Sequence, residues 1–118
     1  HISFCYNTRM TIEQIQHELE TTEVTPSRAA DLGILVSAKY ARACDEYVKY
    51  NIEYAKAFTE TRNSGEFKSD TSCERWLDNQ EVGLNLHKWK YMQKKCEIIQ
   101  KALSNLVYVK TAEARSQI

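Results

Sequence analysis

The chain has 118 residues, 42% of them hydrophobic and 27% charged, which suits one folded domain and excludes a disordered polar chain. A single proline and three glycines are too few turn formers for an all-β sandwich or barrel, which needs a turn about every ten residues, so the expected class is all-α. Sixteen basic residues balance sixteen acidic ones, which leaves no overall charge to draw the chain to nucleic acid. No apolar run approaches the roughly 18 residues that cross a bilayer, and the first residues lack the apolar core and cleavage site of a signal peptide. The expected setting is therefore soluble and cytoplasmic, with no membrane contact.

The first nine residues, HISFCYNTR, show no period and read as a leader or flexible arm, ahead of a single helical domain over 10–118. Thr11 and Gln14 make a capping box, with Met10 and Ile15 placed for the hydrophobic staple across it. The helix they open, from Ile12 to about Glu23, gathers Ile12, Ile15 and Leu19 on one side and should lie on the rest of the fold as a cover. Thr25 is a natural N-cap and Pro26 fits the first helical position, where its missing N–H costs nothing.

From Ser27 to Arg62 no proline intervenes, and Leu32, Val36, Tyr40, Ala43, Tyr47, Tyr50, Tyr54 and Phe58 recur at steps of three or four. Such spacing predicts one long helix with a buried stripe, about 54 Å in length at about 1.5 Å per residue. Beside it runs a weaker stripe of Ala41, Cys44, Val48, Ile52 and Ala55. Gly33 weakens the helix by about 1 kcal/mol relative to alanine and marks a place where another backbone comes close. Gly65 is available for a left-handed C-terminal cap after Asn63.

Thr71 and Glu74 form a second capping box, opening a short helix from Ser72 to about Glu81 that carries Trp76 and Leu77. Gly83 permits a bend or break before the last long element, Leu84 to Ser116. There Leu84, Tyr91, Ile98, Ala102, Leu106 and Val109 form one flank, and Trp89, Met92, Cys96, Ile99 and Leu103 an adjacent one. Two long helices joined by a short corner bury their stripes by returning antiparallel, with Tyr47, Tyr54, Ile98 and Leu106 expected among the most buried residues. Charge supports the pairing. Met10 to Arg62 holds six Lys/Arg against nine Asp/Glu, net −3, and Leu84 to Ile118 seven against two, net +5.

One partner helix cannot cover two stripes on each long helix, and apolar surface left over on that scale marks an association site. The expected product is an oligomeric helical bundle, with Tyr50, Ile52 and Ile99 on the association face. The cysteines Cys5, Cys44, Cys73 and Cys96 lack the spacing of paired zinc ligands and read as reduced thiols. His1, His17 and His87, the only histidines, are spread over three segments, and no phosphate loop or hydrolase, kinase or metalloprotease signature is present. No catalytic residue, metal site or cofactor is expected. The most suggestive chemistry is Lys88, Trp89, Lys90, Lys94, Lys95 and Lys101, since cations interleaved with rings suit a single-stranded nucleic acid or a nucleotide. Tyr40, Tyr47, Tyr50 and Tyr54 read as core with hydroxyls at its edge.

In general style residues 10 to 118 resemble the small helical accessory proteins encoded by bacteriophages. The points of likeness are the start Met10-Thr11-Ile12-Glu13, the long helix ending near Asn63, the capped corner from Ser69 to Glu74 and a basic helix closing on Ala112-Glu113-Ala114-Arg115. The resemblance implies action by binding in a host cytoplasm: inhibiting a host or defence factor, sequestering a nucleotide, or assisting replication and recombination. Two functions are therefore expected from different classes. One is a non-enzymatic helical protein that binds a protein partner, and the other a nucleic-acid or nucleotide binder using the basic helix.

Overall fold

A computed structural model describes residues 10–116. Residues 1–9, expected to be a leader or flexible arm and including His1 and Cys5, lie outside the described residues. All regular structure described is helical: α1 (Ile12–Thr21), α2 (Pro26–Asn63), α3 (Asp70–Leu77) and α4 (Glu81–Ser116). The class is all-α, and α2 and α4 pack on each other as an antiparallel hairpin. The described chain falls into two compact units, one made of residues up to Ala41 with Lys94 onward, the other of Arg42–Gln93.

In the first unit, α1 opens on the expected box: Thr11 Oγ1 accepts from Gln14 N at 3.1 Å, and Thr11 N donates to Gln14 Oε1 at 2.8 Å. It buries Ile12 and Ile15. Arg28 in the first turn of α2 holds α1 in place, donating from Nε and Nη2 to the two oxygens of Glu18 at 2.8 Å each, and from Nη2 to Met10 Sδ at 3.4 Å. Thr25 caps α2 by accepting from Arg28 N. The antiparallel pairing shows in two bonds between the long helices. Gln100 Nε2 donates to Ser37 Oγ at 3.1 Å, and three residues further along α2 Tyr40 OH donates to Glu97 Oε1 at 2.8 Å.

In the second unit, α2 ends at Gly65, whose φ of +78° is the left-handed cap that only glycine adopts without penalty. The corner departs from expectation. Ser69, not Thr71, is the N-cap of α3: its Oγ accepts from Ser72 N at 3.1 Å and Ser72 Oγ accepts from Ser69 N at 3.3 Å. Arg62 fixes this earlier start, donating from Nε to Asp70 Oδ1 at 2.9 Å and from Nη1 to the Phe67 carbonyl. Phe67 in turn packs on Trp76 with ring centroids 5.5 Å apart. Gly83 is no break. It lies inside the first turn of α4 beneath the end of α3, where a Cβ would run into the Leu77 carbonyl oxygen and stand 2.7 Å from Asp78 Cα. Gly33 has no such neighbour within 4 Å, so among the described residues no other backbone comes close there.

Burial is uneven. The fully buried apolar residues of the first unit include Ile15, Leu32, Val36, Cys96, Ile99 and Leu103, whereas the second has Ala43, Cys73 and Leu77 and leans on half-buried Tyr47, Tyr50, Tyr54 and Phe58. Each unit adds one short helix to the long pair, α1 in the first, with Ile12 and Ile15 buried, and α3 in the second, with Cys73 and Leu77 buried. On α4 the inward line is Cys96, Ile99 and Leu103, at steps of three and four. Ile98, expected among the most buried, is therefore 60% exposed, and Leu106, at the edge of that line, is half-buried like Tyr47 and Tyr54.

Candidate functional site

The six residues expected to contact an anion are divided between the two units. Lys88, Trp89 and Lys90 belong to the second unit and Lys94, Lys95 and Lys101 to the first. Trp89 is half-buried, and its ring is already engaged by two cations, Arg42 with Cζ 5.6 Å from the centroid and Lys88 with Nζ at 5.1 Å. These cation–π contacts compete with the stacking that a base would need. Lys90, two residues from Lys88, points to another side of the helix. Lys94 and Lys101 are exposed and share a face by their spacing of seven, while Lys95 is half-buried.

Three of the four tyrosines, Tyr40, Tyr50 and Tyr54, are engaged by side chains of their own unit. Tyr40 spends its hydroxyl on Glu97, and the Tyr50 ring carries Lys49 Nζ at 5.0 Å. Tyr54 OH donates to Asp78 Oδ1 at 3.0 Å, and His87 Nε2 lies 3.3 Å from the same oxygen. This Tyr54–Asp78–His87 cluster is invisible at sequence level, because the carboxylate comes from the turn between α3 and α4 and not from a helical neighbour of either partner. Burial first, then the hydrogen bond to Asp78 and the charges of Asp78 and Glu74, push the Tyr54 hydroxyl up to about 12. The Tyr54 hydroxyl thereby ties α2 to the turn between α3 and α4. Cys44, Cys73 and Cys96 form no disulfide among the described residues, and Cys44 accepts from Gln93 Nε2 at 3.4 Å. Among the described residues no group of three or more His, Cys, Asp or Glu could hold a metal ion, and no helix is long and apolar enough to cross a membrane.

What the fold does display is apolar surface, in each unit separately. Of the three residues expected on the association face, Tyr50 is half-buried and Ile52 exposed, but Ile99 is 4% exposed and belongs to the core. The correction has a plain cause: Ile99 lies on the inward line of α4, so the neighbouring Ile98 takes the outward position. In the second unit Val48 and Ile52, one turn apart on α2, and Leu84 and Tyr91, seven apart on α4, are all more than half exposed. In the first unit Ala29, Ala30, Gly33, Ile34 and Ser37 of α2 face Gln100, Leu103, Ser104, Val107 and Tyr108 of α4 across an open groove of about 820 Å³. Single exposed apolar residues need no explanation, whereas contiguous ones mark contact surfaces. Comparison with known proteins finds no matching family, no similar curated protein and no similar solved structure.

Proposed function

We propose that this chain is a non-enzymatic helical interaction protein, which works by laying the outward apolar faces of α2 and α4 against other helices, in copies of itself or in a protein partner. The observation that carries the reading is the exposure of Ile34, Val48, Ile52, Leu84, Tyr91 and Ile98, large apolar side chains at helical spacing that the chain's own packing leaves in water. An accessory or inhibitory role against a host or defence factor, in a host cytoplasm, draws on the general likeness to helical bacteriophage proteins. The alternative, a nucleic-acid or nucleotide binder on the lysines of α4, has less support, because the ring that would stack a base already holds Arg42 and Lys88.

The test compares the wild-type chain with a variant carrying Val48→Glu, Ile52→Glu, Leu84→Glu and Tyr91→Glu, all at exposed positions where charge leaves the fold intact. Light scattering reads self-association, and capture from host lysate reads partners. The expected result is that the variant keeps its helix content and loses assembly or a retained protein. If the wild type neither self-associates nor retains any protein that the variant loses, the reading fails.

A further inference from the structure

We infer that the groove of the first unit seats a second copy of this chain, with Gly33 at its floor; the inference rests on the association reading above and gives it a partner and a place. A glycine inside a helix weakens it relative to alanine, and nothing among the described residues calls for one here. Gly33 lacks a positive φ, and a Cβ built on it meets no atom within 4 Å, unlike Gly83 under the end of α3. The space beside Gly33 opens into the groove, where Ala29, Ala30, Ser37 and Ser104 complete a floor of small side chains. The distance at which two helices pack is set by the side chains between them, so this floor admits another helix at close range.

The occupant follows from shape and charge together. Ile34 and Tyr108, 66% and 76% exposed, are the most exposed large hydrophobics among the described residues, and both line this same groove. One patch therefore holds both projections and hollow, as an isologous contact requires, because there a patch meets its own copy. None of the ten lining residues is charged, so face-to-face pairing opposes no like charges. Its rims differ in sign. Asp31 stands one turn before Ile34 on α2, and Lys101 one turn before Ser104 on α4, both exposed. The twofold arrangement that sets α2 of one copy over α4 of the other brings each Asp31 rim toward a Lys101 rim. A uniformly acidic or basic partner would meet its own sign on one of them.

Sedimentation equilibrium over about 1–100 µM, a range that brackets micromolar affinity, should show the mass rising from 13.7 kDa toward twice that value. Gly33→Leu fills the floor and Ile34→Glu puts a charge on the projection. Each should raise the dimer dissociation constant about tenfold or more, as loss of a central interface residue does, with far-UV circular dichroism unchanged. Asp31→Lys and Lys101→Asp should each weaken the dimer and, combined, restore it. Should Gly33→Leu fail to fold, the charge exchange decides alone. A wild-type dimer indifferent to Gly33→Leu, or to both charge reversals, would overturn this location while leaving the association reading intact. A chain that stays at 13.7 kDa throughout overturns the second copy as occupant; capture of another protein, lost in the four-glutamate variant, would then still uphold the broader reading.

Discussion

The three glycines offer one chemical change with three different outcomes, set by where each missing Cβ would go. At Gly33 a methyl group meets nothing within 4 Å, so alanine there should gain the helix-propensity difference of about 1 kcal/mol, raising the melting temperature by about 4 °C for a chain of this length. At Gly83 the same propensity gain is opposed by backbone atoms, the Leu77 carbonyl oxygen and Asp78 Cα at 2.7 Å, which cannot rotate aside as a side chain would. Overpacking of that kind costs about 1–3 kcal/mol, so Gly83→Ala should melt below wild type, by several degrees if α3 must shift. At Gly65, with φ +78°, alanine faces the left-handed penalty of about 1 kcal/mol. Circular dichroism melts at the lowest usable protein concentration read all three without a contribution from association. A Gly83→Ala variant as stable as wild type would refute the close approach of α3 to α4, and a Gly33→Ala variant less stable than wild type would show that its Cβ position is occupied.

Glu18 and Tyr54 give opposite pH dependences. The Arg28 hydrogen bond, against the opposing pull of burial, holds the Glu18 carboxyl below its ordinary 4.5. Its contribution, about 1 kcal/mol for a partly exposed bidentate pair, is thus present above that value and lost as pH falls through the folded pKa. Glu18→Gln should flatten the acid limb of the stability curve. For Tyr54, raised from 10.0 to about 12, stability is full below pH 10 and lost as pH climbs toward 12; ultraviolet titration should show a late tyrosine step that is absent in Tyr54→Phe. Replacing Ser69 by alanine should cost about 1 kcal/mol as the loss of an N-cap, and Thr71→Ala within about 0.5 kcal/mol of zero; denaturant unfolding giving the reverse order would return the cap to Thr71.

Much of the architecture was legible because period carries it. The single inward line Leu32, Val36, Ala43 on α2 and the capping residues around Thr11 and Thr25 are local signals, and the structure uses both. On α4 two adjacent flanks are apolar, and period cannot say which turns inward. The packing turns Cys96, Ile99 and Leu103 inward and leaves Ile98 outward. The corner cap reads as Thr71 with Glu74 three positions on, but Ser69 has Ser72 at the same spacing, and the contacts of Arg62 with Asp70 and Phe67 go with the earlier start. The link between His87 and Asp78, nine residues apart across a turn, has no sequence signature. The basic run was legible as composition, but its division between two units and the engagement of Trp89 by Arg42, 47 residues away in sequence, were not.

The most direct measurement is the melting temperature of the wild-type chain across a hundredfold range of protein concentration. Binding between folded chains stabilises them by mass action and makes the midpoint depend on concentration. If the exposed faces of α2 and α4 meet in a second copy, the midpoint should climb steadily with concentration, and less steeply in Ile34→Glu. A midpoint that stays constant over the whole range would contradict self-association through these faces.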